Sequence, residues 1–139
     1  MSLQMLRGPD GTLHAMAIAH PRDTYEWVRG VVYLQSTNDG ASWSVETVAP
    51  SIDFSRYSPD AASLTLDGHG KPAISFTLNG GQLQLARRTN AGWSVSDLGA
   101  TVGPNPDSVV RTAPDGSLFI LYQDSLGGSL VLGHVIETR

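Results

Sequence analysis

The chain has 139 residues, a formal net charge of −4 and an isoelectric point near 5.4. A length of this order fits a single domain with a real core. Hydrophobic residues make up 40% and charged residues only 16%, which excludes a disordered tail and a coiled coil. No stripe of lysine and arginine is present to bind nucleic acid. No apolar run approaches the ~18–20 residues of a membrane span, and no signal peptide is visible, so we expect neither a nucleic-acid nor a membrane partner.

Cysteine is absent, which excludes disulfides, cysteine-based zinc sites and cysteine nucleophiles. The absence leaves the cellular compartment open. The four histidines do not follow the spacing of metal ligands; they are His14, His20, His69 and His134. We therefore expect no metal and no cofactor.

Period-two alternation predicts short β-strands throughout the chain, and no helical period is sustained. The first group of predicted strands is Leu3–Arg7, Thr12–Ala19, Gly30–Thr37 and Trp43–Val48. The second group is Ala61–Leu66, Pro72–Leu78, Gln82–Thr89 and Trp93–Leu98. The third group is Ser108–Thr112, Ser117–Gln123 and Ser129–Ile136.

Two markers repeat with a period of roughly 50 residues, which indicates an internal repeat. The first is an Asp-Gly turn, at Asp10-Gly11, Asp67-Gly68 and Asp115-Gly116. The second is Trp-Ser-Val, beginning at Trp43 and again at Trp93. Repeats of four antiparallel strands are typical of propeller blades.

The sequence thus predicts an all-β protein, a single partial β-propeller domain with blades at about 1–49, 50–99 and 100–139. The last blade lacks its outer strand. Closed propellers typically have four to eight blades, so one such chain cannot close the ring. We expect either a head-to-tail homodimer with six blades or a piece of a longer parent. The end faces of the first and third blades are expected to be apolar and to mark this contact.

The segment Ser36-Thr37-Asn38-Asp39-Gly40-Ala41-Ser42-Trp43 resembles the Asp-box, or BNR repeat, of sialidases and related propellers. Asn38 stands where that family usually has Asp, and Thr89-Asn90-Ala91-Gly92-Trp93 is a degenerate second copy. The resemblance implies a structural turn and a sialidase-like propeller. We expect Trp43 to be buried against this turn and costly to remove.

Candidate ligand-binding residues lie on two long connections, residues 20–29 and 49–60, at the end of the blades away from the short turns. Functional residues concentrate on loops held by a rigid scaffold. Aromatic rings can stack on a pyranose face while charged groups bind its hydroxyls. The predicted ligand residues are Asp23, Tyr25, Glu26, Trp27, Arg29, Asp53, Arg56 and Tyr57. The alternative is that these aromatic side chains only pack the loops or cover an oligomer contact.

Three functions remain open. The first is a non-catalytic module that binds a carbohydrate ligand. The second, which the resemblance implies, is a domain related to sialidase-like glycosidases. However, the Arg-Ile-Pro signature that sialidases usually carry on their first strand is absent. A trio of Arg7, Arg56 and Arg111 is a poor substitute, because Arg7 and Arg111 are predicted to point to opposite faces of their strands. The third is a pure assembly element.

Overall fold

The computed structural model describes residues 3–19, 30–49, 62–78, 81–102, 108–124 and 128–135. Within these ranges it contains eleven strands and no helix. The first sheet is β1 (Leu3–Arg7), β2 (Leu13–Ala19), β3 (Gly30–Ser36) and β4 (Ser44–Ala49). The second is β5 (Ala62–Leu66), β6 (Pro72–Thr77), β7 (Gln82–Thr89) and β8 (Gly92–Thr101). The third is β9 (Ser108–Thr112), β10 (Leu118–Gln123) and β11 (Leu130–Val135).

Each sheet is an antiparallel meander in which consecutive strands pair. The all-β prediction of propeller-like blades is therefore confirmed, with a third sheet of three strands. The largest difference from the predicted bounds is β8, which continues to Thr101 rather than ending at Leu98. A register shift against β7 and a left-handed Gly99 (φ 70°) allow the longer strand to stay paired.

The Asp-Gly pair of the second sheet occupies a different position in its turn from the other two pairs. The turns close at Gly11, Gly70 and Gly116, where φ lies between 74° and 87°. The second turn therefore falls on His69-Gly70, two residues after Asp67-Gly68. The side chain of Asp67 still caps this turn, because its Oδ1 accepts hydrogen bonds from the N–H groups of His69 (2.8 Å) and Lys71 (3.0 Å).

The second sheet packs between the first and the third, and a separate hydrophobic core fills each interface. The first core joins β2, β3 and β4 to β5, β6 and β7, with Met16, Val31 and Phe76 among its fully buried side chains. The second includes Leu83, Val110 and Ile120. Burial of this much apolar surface is the main force that holds the three sheets face to face.

In the first and second sheets, a side chain of the first strand also bonds the next sheet. Gln4 donates from Nε2 to the carbonyl of Ala62 (3.2 Å), and its Oε1 accepts from the N–H of Leu64 (2.9 Å). One sheet further on, the Ser63 hydroxyl accepts from the N–H of Val110 (3.1 Å). These bonds satisfy backbone groups in the interfaces and set the register of one sheet on the next.

The outward faces of the first and third sheets are rich in exposed apolar side chains. On the first sheet Leu3 is 68% and Met5 62% exposed. On the third sheet Leu130 is 74% and Leu132 66% exposed. These faces correspond to the two end faces that the sequence predicted to be apolar.

Candidate functional site

A polar cleft of about 380 Å³ lies between the first and second sheets, at the end where the short hairpin turns emerge. Strands β2, β3 and β4 form one wall, and the turns around β6 and β7 form the other. Its lining includes His14, Tyr33, Gln35, Glu46, Lys71, Arg88 and Asn90. Carboxylate, amide, ammonium and guanidinium groups thus meet in one concavity between two rigid sheets.

Glu46 is the central charge of this cleft. Its Oε2 accepts a hydrogen bond from the Trp93 indole Nε1 (2.9 Å) and pairs with Arg88 Nε (2.9 Å). The Trp93 ring packs edge-on against Tyr33 at 5.2 Å between ring centroids. Glu46 and Tyr33 belong to the first sheet, whereas Trp93 and Arg88 belong to the second, so this network joins the two sheets.

Tyr33 also bonds His14 beneath the cleft. The Tyr33 hydroxyl lies 2.6 Å from His14 Nδ1, and both side chains are buried. Burial lowers the pKa of His14, against a smaller opposing effect of Asp10. Burial, assisted by the charge of Glu46, raises the pKa of Tyr33 to about 12. Both groups are therefore neutral at pH 7.

The lowered pKa of His14 predicts a loss of stability in mild acid. The unfolded chain takes up the proton near the usual value of about 6.5, before the folded chain does. The free energy of unfolding should therefore fall as the pH drops below 6.5. Urea denaturation at pH 7.5 and 5.0 measures this change, and His14→Asn should make it smaller. Hydrogen bonds lower the pKa values of Asp10 and Asp115. Protonation of these carboxylates changes the free energy of unfolding only below about pH 4, outside the range that this experiment compares. An equal pH dependence in wild type and variant would contradict the prediction.

The turn at residues 36–43 is closed by its own side chains. The Ser36 hydroxyl accepts the N–H of Gly40 (2.8 Å), and Asn38 Oδ1 accepts the N–H of Ser42 (2.9 Å). Asn38 Nδ2 also donates to the Ser42 hydroxyl (2.8 Å). Asp39 and Gly40 have positive φ values of 54° and 87°, and glycine adopts such values without a steric penalty.

We expect Asn38→Asp to leave stability within about 0.5 kcal/mol of wild type, because one carboxylate oxygen can still accept from the Ser42 N–H and the other can accept from the Ser42 hydroxyl, which reverses the bond that the amide donates. Asn38→Ala removes the acceptor of the Ser42 N–H and should cost about 1 kcal/mol. Chemical denaturation of the two variants side by side measures the difference. Equal stabilities would show that these side-chain bonds do not hold the turn.

The expectation that Trp43 is buried is wrong, since its side chain is 39% exposed. The ring does lie over the turn: a Cβ added at Gly40 would come 3.7 Å from Trp43 Cζ2. The other side of the ring faces outward with the exposed face of the first sheet. Trp93, the second copy of the marker, differs because the first sheet covers it.

All eight sequence-predicted ligand residues lie outside the described residues: Asp23, Tyr25, Glu26, Trp27, Arg29, Asp53, Arg56 and Tyr57. They therefore stay predictions. Of the arginine trio, Arg7 pairs with Asp39 (2.9 Å) on the exposed face of the first sheet. Arg111 lies on β9 and donates to the Ser63 hydroxyl (3.3 Å) and the Val110 carbonyl (2.7 Å).

Glu46 and Arg88 are not among the site residues predicted from the sequence. The signal was present for Glu46, since alternation puts it on the same face of the strand as the apolar Val48. A carboxylate on an apolar face needs a partner. Its partner Arg88 lies 42 positions further along the chain, and the two side chains meet only because the two sheets pack together.

Two further concavities occur among the described residues. One, of about 490 Å³, lies between the turns of the second and third sheets, where Gly68 and Gly116 meet. The other, of about 890 Å³, follows β7 and β8 toward Val135. In the described part of the chain, no three histidine or acidic side chains converge as metal ligands. Nor do these residues include a helix with the length and apolarity needed to span a membrane.

No known family model and no curated protein matches the sequence. A fucose lectin from Kordia zhangzhouensis, solved with methyl-fucoside, is similar in structure (TM-score 0.53, 14% identity), over 98% of this chain and 100% of that chain. A Dyadobacter fermentans protein of unknown function has a TM-score of 0.56 at 19% identity, over 85% of this chain. The intramolecular trans-sialidase from Ruminococcus gnavus, solved with oseltamivir carboxylate, has a TM-score of 0.44 at 20% identity, over 88% of this chain.

The chain spans only 32% and 28% of the latter two structures, whereas it spans the whole of the lectin chain. At these identities the likeness concerns the fold. The observed sheets thus belong to a β architecture that the lectin shares over its full length.

Proposed function

We propose that this chain is a non-catalytic carbohydrate-binding module. The observation that carries the proposal is the polar cleft between the first two sheets, built from hydrogen-bond donors and acceptors on a rigid scaffold. Its volume of about 380 Å³ lies in the range of small-molecule sites. The fucose lectin supports a sugar as the ligand class, because its full length has this fold and its structure holds methyl-fucoside.

The chemistry of the cleft suits hydroxyl groups. The amides of Gln35 and Asn90 each offer a donor and an acceptor, and Lys71 adds a donor that already reaches Asn90 Oδ1 (3.3 Å). Glu46 and Arg88 remain about one-third exposed, so each keeps polar atoms accessible to a ligand. A monosaccharide with adjacent hydroxyls can use such alternating donors and acceptors.

The two long connections supply a second proposed contact surface. Trp27 and Tyr57 are proposed as the rings on which a sugar stacks. The other six predicted ligand residues are acidic, basic or phenolic and belong to the same two connections. This surface and the cleft make different predictions for mutagenesis. A ligand in the cleft depends on Gln35 and Asn90, whereas a ligand on the connections depends on Trp27 and Tyr57.

A glycan array followed by calorimetric titration tests the proposal. We expect binding of at least one glycan, with the double variant Gln35→Ala/Asn90→Ala weakening it at least tenfold if the cleft is the site. Trp27→Ala, with an unchanged melting temperature, should instead abolish binding if the connections carry it. Gln123→Ala, which removes a half-buried amide on the third sheet away from the cleft, is the matched control. Absence of binding to every glycan would contradict the proposal, and cleavage of a fluorogenic sialoside would favour the sialidase-like alternative.

We also infer that residues 36–43 are an Asp-box with Asn in place of the usual Asp. The bonds of Ser36 and Asn38 across the turn and the position of the Trp43 ring over Gly40 support this inference. In that role the turn holds the hairpin of β3 and β4. We assign it no part in ligand binding.

Self-association into a six-bladed ring of two chains is a second proposed property, and the outward face of Trp43 favours it. The register places Trp43 on the first sheet where Trp93 lies on the second. The same comparison places Leu132 of the third sheet where Tyr33 lies on the first. Because Trp93 packs on Tyr33, a second copy would place its Trp43 over the exposed Leu132. Head-to-tail contacts of this kind close into a ring when the rotation fits.

A further inference from the structure

The third sheet ends on β11, and no described strand pairs with the outer edge of that strand. A groove of about 890 Å³ lies between the end of β11, at Val135, and the outer half of the second sheet. Its lining includes Leu85, Ser94, Ser96, Leu98 and Val135. An open strand edge next to an open groove is a template for another extended segment.

The interface between the first and second sheets shows what fills the equivalent groove. On the first sheet the register aligns Tyr33 with Glu46, and on the second sheet it aligns Leu85 with Ser96. The first pair lies in the same cross-strand row as Gln4, and the second pair lies in the same row as Ser63. Gln4 and Ser63 are the side chains that bond the next sheet. Tyr33 and Glu46 are covered by Trp93 of β8, the fourth strand of the following sheet. Ser96 is exposed, because the third sheet has no described fourth strand to cover it.

The floor of the groove is continuous with an established interface. Leu85 belongs to the hydrophobic core between the second and third sheets, and Leu98 and Val135 pack against that core. A side chain that enters the groove therefore extends an existing apolar contact rather than starting a new one. An aromatic ring over Leu85 and Leu98 would correspond to Trp93 over Tyr33 in the preceding interface.

We propose that this groove accepts an extended segment of a partner polypeptide as the fourth strand of the third sheet. The segment pairs antiparallel with β11 and places an aromatic side chain, followed by alternating small and apolar residues, over Leu85 and Leu98. Its backbone bonds supply affinity, and the aromatic residue supplies specificity, as in other cases of strand addition. The apolar part of this groove, at Leu85, Leu98 and Val135, lies on the other face of the second sheet from the proposed sugar cleft. The two concavities meet at the turns of the second sheet, where Lys71, Arg88, Thr89 and Asn90 line both.

A synthetic peptide copied from residues 90–101 of this chain, with a fluorophore at its N-terminus, is the probe, because β8 already fills the equivalent groove. We expect saturable binding to the full-length protein in the micromolar to submillimolar range, measured by fluorescence anisotropy. The same peptide with its tryptophan replaced by serine should bind at least tenfold more weakly. Backbone hydrogen exchange should slow in β11 when the peptide is bound.

Two variants on one strand provide the matched control. Ser96→Arg places a bulky charge in the groove and should weaken peptide binding at least tenfold. Val95→Arg places the same charge on the other face of β8 and should leave the affinity unchanged. Absence of binding at 1 mM peptide overturns the proposal, as do equal affinities of the two peptides or of the two protein variants. Slower hydrogen exchange in β7 instead of β11 also overturns it, because that result would mean that the peptide displaces β8.

Discussion

Trp93→Ala is expected to lower the free energy of unfolding by about 3 kcal/mol, the lower end of the range for removal of a packed tryptophan. The substitution deletes the ring that packs against Tyr33 and the indole donor of Glu46. It therefore opens the interface between the first and second sheets and leaves a partly buried carboxylate with one partner fewer. Urea denaturation followed by circular dichroism measures the loss.

Trp93→Phe separates the two contributions, because it keeps an aromatic ring against Tyr33 and removes only the bond to Glu46. We expect this variant to cost about 1 kcal/mol, the usual net value of one hydrogen bond. Trp43→Ala is the matched control at the equivalent position and should also cost about 1 kcal/mol in the single chain, since its ring is 39% exposed. In monomeric protein, a larger loss for Trp43→Ala than for Trp93→Ala would contradict the described interface.

The proposed two-chain ring predicts that the wild-type protein has twice the 14.8 kDa mass of the single chain in light scattering at micromolar concentration. Leu132→Glu should return the mass to that of one chain. The substitution places a carboxylate in both equivalent contacts, and burial of an unpaired charge costs roughly 3 kcal/mol or more at each. Two such contacts weaken the association about ten-thousandfold.

Complementary variants distinguish a head-to-tail ring from other dimers. Met5→Arg alone, on the outward face of the first sheet, should also give single chains. A mixture of Leu132→Glu and Met5→Arg should restore the dimer, because one contact then joins Glu to Arg and the other is wild type. Val95→Glu changes an exposed apolar residue on neither end face and should leave the mass unchanged. A wild-type mass near 14.8 kDa, or a mixture that stays monomeric, would contradict the proposed ring.

Much of the secondary structure could be predicted because its causes are local. The bounds predicted for β1, β7 and β9 agree with the structure: Leu3–Arg7, Gln82–Thr89 and Ser108–Thr112. Alternation and turn residues act over a few positions, so they can be recognised without knowledge of the packing. In the second hairpin Asp67-Gly68 repeats the letters of the other turns, but Gly70 takes the left-handed conformation that closes the hairpin.

The described cleft could not be predicted from local sequence patterns. The eight residues predicted on the long connections lie outside the described structure and remain predictions, whereas the described cleft was not predicted. It is built from residues such as Glu46 and Arg88, which are far apart in the chain and meet only when two sheets pack. No local pattern specifies the distance between such side chains.

By itself, the sequence determined that this protein is all-β, with strands grouped into three antiparallel sheets, the third of which has three strands among the described residues. These properties follow from side-chain alternation and turn chemistry, which act within each repeat. Only the tertiary structure decided that Trp93 is covered while Trp43 is not, and that Glu46 meets Arg88 and Trp93. The physical reason is that burial depends on which sheet lies opposite: the first sheet covers Trp93, whereas no described sheet lies against Trp43.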